Sequence, residues 1–261
     1  MRPISDGVKD IRLAGDIGET LIAAVLDQLD RGELERMATA AHEVIDVQMR
    51  LNLTDDNVVG ELIKNAGTFF EWNHYPDGDV YYAGSASQFF YHAHPADLRV
   101  GEHGHFHTFL RPAGMPEGVN PAPVDDYVAP KDANDALAHI IGISMDGFGA
   151  PICLFTTNRW VTGETWYSGP DIARMVDLFE VRHTQPSWPV NRWVSAMLRL
   201  FKPQILALIS ARDATVADWA RSGKAPDGNV FEDRALEVTS YCHISIEAQA
   251  RAIDAALEAA I

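Results

Sequence analysis

Cysteine is scarce in this chain. There are two in 261 residues, Cys153 and Cys242, far apart and in apolar surroundings. That excludes a disulfide framework and a zinc–thiolate site. Basic residues are few as well: 21 Lys and Arg stand against 37 Asp and Glu, for a formal net charge of −16. Nucleic acid and anionic membrane both require a basic footprint, so neither is expected as a partner. No run of about 18 apolar residues occurs, which leaves no candidate membrane span. The opening MRPISDGVKD holds no apolar leader core, and a cytoplasmic location is expected. Internal repeats, low-complexity tracts and a Gly-rich phosphate loop are missing too.

What the chain concentrates is histidine. Five of its ten, His92, His94, His103, His105 and His107, lie within residues 92–107, where an even spread would put fewer than one. Within each cluster the spacing is two, and on a strand residues i, i+2 and i+4 share a face. Residues 95–102 are long enough for an antiparallel return. A hairpin would therefore bring both histidine rows onto one face, a metal site built from imidazole. His103 and His107 would stand about 13 Å apart on a straight strand, unless Gly104 marks a bulge. The preferred set is thus His103 and His105 with one or two of His92, His94 and a carboxylate. Glu102 is a poorer ligand, because alternation turns it to the other face.

The flanks read as helix. A first helix is expected over residues 18–30, with Leu21, Ile22, Val25, Leu26 and Leu29 on one stripe. A second begins at Gly32 and buries Leu34, Met37, Ala38, Ala41, Val44, Ile45 and Met49. His42 and Glu43 fall in it, but a zincin motif needs a histidine where Asp46 stands, so His42 reads as structural or exposed. Asp55 or Asp56 caps a third, short helix. From residue 67 the period changes: aromatic residues around Pro76, Asp77 and Gly78 favour strands joined by a turn. Glu71 and His74 precede that turn and could face the histidines. Strands over Val80 to Tyr82 and Gln88 to His94 follow.

Residues 112–130 hold five prolines and are expected as a long loop, either a lid or a solvated crossover. HIIGISMDG and APICLFTTN then flank a hairpin turn. His139, with Ile141, Ile143 and Met145 on its face, reads as a core residue. In NRWVTGETWYSG, polar groups sit between Trp160 and Trp166, which suits a pocket wall. Arg159 would clamp an anion through its planar fork, with Asn158 or Glu164 hydrogen-bonding the substrate. Beyond Pro170 the chain is helical again: one helix opens at Trp188, broken or kinked at Pro203. A long last one is expected from Asp227 or Asn229 to Ala259, with His243 and Glu247 one turn apart. The fold expected is α+β, one domain over residues 1–261: N-terminal helices (1–66), an antiparallel sheet of about five strands (67–166) and C-terminal helices (167–261).

The stretches EHGHFHTFLR and LFTTNRWVTGETWY resemble an uncharacterised bacterial family, a domain of unknown function, over about residues 30–210. The resemblance implies no activity. The His-x-His pairs are also similar to those that open a cupin metal site, but the spaced glutamate and glycine of that pattern are missing after His105. That likeness is of chemistry and not of fold.

Imidazole ligands suit Fe(II), Zn or Cu and not Mg or Ca. The function expected is a metal-dependent enzyme on a small anionic substrate, with iron and oxygenase chemistry favoured because no general base is evident. His74 or Glu71 as a base would turn the reading to zinc-dependent hydrolysis. A metal-binding or sensing protein without turnover is the other class. Arg159, Trp160 and Trp166 discriminate: lining a cavity that faces the histidines, they favour an enzyme.

Overall fold

The computed structural model describes residues 25–95, 99–223, 225 and 228–259. Most of the expected first helix, through Leu21 and Ile22, lies outside them, as does Asp227. Helix α1 (Arg31–Asn52) starts at the Asp30 cap, whose side chain accepts from the Glu33 N–H, satisfying an otherwise orphaned donor. Its buried stripe is Leu34, Met37, Ala41, Val44, Val47 and Leu51, with Ala40 beside it. Met49 falls outside that stripe and is exposed, contrary to expectation; it lies five residues, well over a third of a turn in phase, from Val44. The cap of α2 (Val58–Ile63) is Asn57 and not an aspartate, its side chain accepting from Val59 and Gly60.

Six strands follow: β1 (Tyr75–Tyr82), β2 (Ser87–His92), β3 (Gly104–Leu110), β4 (Ala138–Met145), β5 (Pro151–Thr157) and β6 (Val238–His243). They form one antiparallel sheet in chain order. The expected α+β class holds, with two corrections. Residues 67–74 form no strand, and Pro76 to Gly78 sit inside β1 as a register irregularity instead of a hairpin turn. The expected long last helix is instead β6 followed by α7 (Ile246–Ala259). Val238, Ser240 and Cys242 are all buried in a segment that finds a partner in β5, and pairing overrides a helical reading of it. His243 therefore ends a strand while Glu247 opens a helix, and the two share no helical face.

Between β5 and β6 lie α3 (Arg159–Thr162), α4 (Gly169–Ala173), α5 (Trp188–Leu200) and α6 (Lys202–Arg221). Ser168 caps α4, its side chain accepting from the Asp171 N–H. Helices α5 and α6 break at Phe201, with Pro203 in the first turn of α6, and meet at 72°. They cover one face of the sheet: Trp193 packs on Phe106 at 5.7 Å, and Ser240 donates to the Leu208 carbonyl. Glu43 of α1 binds Arg192 and Arg199 of α5. Phe89, Tyr91, Phe106, Ile141, Ile143 and Leu154 complete this core; burying a side chain of this size stabilises by about 1.5–3 kcal/mol. Among the described residues no single helix is long and apolar enough to cross a membrane. The opposite face of the sheet carries the histidines.

Candidate metal centre

The sheet register sets the site. His92 of β2 pairs with His105 of β3, and His107 lies between Phe90 and Gly142. Alternation puts His92, His105 and His107 on the face away from the helices. Their ligand nitrogens all lie within 4.8 Å of one another. His92 Nε2 and His105 Nε2 face each other at 2.7 Å. Two nitrogens at about 2.05 Å from one tetrahedral ion would be about 3.3 Å apart, so the pair needs to open by about 0.6 Å to share such an ion.

The outer nitrogens are already assigned. His105 Nδ1 lies 2.7 Å from a Glu102 carboxylate oxygen, and His107 Nδ1 lies 2.9 Å from His139 Nε2. With a proton on each Nδ1, both Nε2 lone pairs are free for a metal, the orienting device common to metal-bound histidines. Protonation does not compete near neutral pH. Burial, the largest cause, holds His92 down to about 3, and holds His105 and His107 well below the usual imidazole range. His139 is likewise pushed down to about 3 by burial, and His94 to about 4.

Three placements differ from simple alternation. His103 precedes the strand, and its Nδ1 bonds the Tyr91 hydroxyl at 2.6 Å, on the helix-covered side. Gly104 opens β3 beside it, where an added Cβ would stand 2.4 Å from both the Tyr91 hydroxyl and the His92 carbonyl oxygen. Only glycine leaves that passage open. Glu102 belongs to the loop, where strand parity does not apply, and it faces His105. His139 joins the histidine row because the β3–β4 register shifts between Thr108 and Phe109. That bulge separates His139 from Ile141 and Ile143 by parity; the apolar neighbours that implied a core position belong to the other face.

His94 stands beside the triad and outside it, its ring 5.1 Å from His105 and 4.9 Å from His92. Phe155 forms a wall 5.1 Å from His105. Its ring lies over Gly142, where a Cβ would come within 2.4 Å of it. His74 stacks on Phe90 at 3.6 Å, with its ring 5.8 Å from His92. Asp79 holds His74 Nδ1 at 2.9 Å, Gln88 donates to Asp79, and Arg111 donates to Gln88. A chain of four side chains thus orients one imidazole beside the triad, a linkage no local motif in the sequence signals. Glu71 is exposed.

The residues of the second stretch are engaged elsewhere. The Arg159 fork binds Glu232 and Asp126 over the Phe231 ring. Asn158 donates to the Val230 carbonyl and accepts from Arg159 N–H. Trp160 donates to the Leu236 carbonyl, and Trp166 packs in a small apolar cluster with Val216, Val230 and Leu236. Loop 112–130 runs to that cluster too: Ala122 N–H bonds the Trp166 carbonyl. Glu164 is buried and accepts from the His139 N–H at 2.8 Å; burial pushes its carboxyl up to about 7.

Beside the triad the cation is Arg99. It binds Glu102 and Glu237, lies 5.4 Å from the Phe155 ring centre, and keeps a buried Nε with no hydrogen-bond partner. No curated protein and no solved structure matches this chain. Residues 38–244 do match a family, starting later than the 30–210 expected from the two motifs and ending beyond it, through the whole of β6. The chain belongs to that family, the domain of unknown function DUF6969.

Proposed function

We propose that the protein is a mononuclear metal enzyme of the hydrolytic kind, with His92, His105 and His107 as ligands and His74 as general base. The observation that carries this is a triad of neutral imidazoles beside a histidine fixed by Asp79. Three neutral donors leave the ion's double charge uncompensated, and such an ion supplies acidity to a water near neutral pH. The carboxylate that would complete an iron-type two-His-one-carboxylate set, Glu102, is spent on His105 Nδ1. This donor set therefore fits zinc better than iron, with copper as a further candidate. His74 supplies the base whose absence favoured oxygenase chemistry. Its Nδ1 is committed to Asp79, so Nε2 is the nitrogen free to take a proton. Arg99, whose Nη1 lies 3.3 Å from His105 Nδ1, is paired with Glu102 and Glu237, so an anionic substrate would have to displace one of these carboxylates to reach it.

A second reading, metal binding without turnover, draws support from Arg159, Trp160 and Trp166, whose side chains are engaged with Asp126, Glu232, Leu236 and a separate apolar cluster. One experiment separates the two. Protein purified without added metal is compared with His105→Ala by elemental analysis, then assayed on activated carboxylic and phosphate esters beside His74→Gln. Near-stoichiometric metal, lost in His105→Ala, is expected. Turnover that requires the metal and falls about 10²-fold or more in His74→Gln, with metal retained, supports the enzyme. Bound metal with no turnover on either ester class supports the second reading.

A further inference from the structure

Trp72 is the one large side chain among the described residues outside helices and strands that the backbone holds at positive φ, +70°. Bulky residues avoid that region, and strain of this kind persists only where surrounding structure imposes it. Here the imposition is visible. The Trp72 N–H bonds the Ala93 carbonyl at 2.9 Å, which ties the segment to the end of β2. The indole stays half in water, at 51 % relative exposure, so burial of the ring does not repay the strain. Its position offers another account. The indole meets His94 edge-on, with ring centres 4.3 Å apart and planes at 89°, and His94 in turn lies against His92 and His105.

Two perpendicular rings form a corner that offers one face and one edge. A third planar ring can stack offset on the first and meet the second edge-to-face, the two arrangements that aromatic quadrupoles favour. A saturated ring of similar size gains neither. The corner lies one imidazole's width from the triad, since His94 itself packs against His92 and His105.

We propose that Trp72 and His94 form a specificity subsite for a planar aromatic group, placing the substrate's metal-directed head at the histidine triad. This rests on the metal reading above, and the probes distinguish the two. Cobalt(II)-loaded protein is titrated with benzohydroxamate and with cyclohexanecarbohydroxamate, followed by visible absorption. Both carry the same chelating head, and only one carries a planar ring. Benzohydroxamate is expected to bind about tenfold tighter. The preference should vanish in Trp72→Asn, which tolerates the left-handed backbone, and survive in Trp72→Phe, with cobalt content unchanged in both. Equal binding of the two hydroxamates to wild type, or a preference that Trp72→Asn keeps, overturns the subsite while leaving the metal centre standing. No spectral change with either overturns the metal reading and the subsite with it.

Discussion

Glu164 is the sharpest test of how a buried group in this protein should behave. Its carboxyl is 4 % exposed, and desolvation raises it from 4.5 to about 7 against the attraction of Arg212 and the His139 N–H. The folded protein therefore holds a proton that the unfolded chain releases above about pH 4.5. Stability from this group is complete below that pH and declines as pH rises toward 7. The loss is about 2.5 pKa intervals at 1.36 kcal/mol each, or about 3 kcal/mol by pH 8. Glu164→Gln mimics the protonated acid, keeping an oxygen for the His139 N–H while removing the titration. Urea unfolding of wild type and variant between pH 5 and 8.5 measures it, and titrations common to both proteins cancel in the difference. The variant should exceed wild type by about 1 kcal/mol near pH 5 and by about 3 kcal/mol at pH 8. Parallel curves across that range would refute the reasoning. Were Glu164 a substrate-binding group instead, the substitution would reduce activity at every pH and leave the stability difference flat.

The histidines act in the opposite direction. Buried imidazoles with lowered values, His139 and His92 at about 3, contribute stability above the unfolded value of about 6.5 that is lost on acidification; His139 alone costs about 2 kcal/mol at pH 5. Unfolding free energy of metal-free His139→Gln against wild type at pH 5 and 7 checks this, and an unchanged difference would count against neutral burial. Glu102→Gln removes the carboxylate that orients His105 and should weaken zinc about 10–100-fold in chelator competition; equal affinity would show that the contact does not orient the ligand. Gly142→Ala drives a Cβ into the Phe155 ring, so it should cost about 1–3 kcal/mol and shift metal affinity. A variant as stable as wild type would mean Phe155 can move aside.

Much of this architecture follows from local pattern. Alternation in residues 138–157 and the Asp146 to Gly149 turn are enough to yield the β4–β5 hairpin, whose turn Asp146 closes by accepting from Phe148 and Ala150. The clustered histidines mark the site, because period two puts His105 and His107 on one face whatever the sheet's partners are. Local pattern fails where the reason is distant. Val238 to His243 became a strand only because β5 was there to pair with it. Arg159 looked free to clamp a substrate because Asp126 and Glu232, its actual partners, lie 33 and 73 residues away in sequence.

The amino-acid sequence by itself determined that this chain makes helices around an antiparallel sheet and that imidazole is massed at alternate positions within residues 92–107. Periodicity and composition are local, and they need no partner to act. Which imidazoles converge was decided by tertiary structure alone. Gly104 leaves room for the Tyr91 hydroxyl that holds His103, a bulge in β4 brings His139 behind His107, and a loop outside strand parity delivers Glu102 to His105. Each of these depends on register and close approach between strands, which fix side-chain direction only once the sheet has formed.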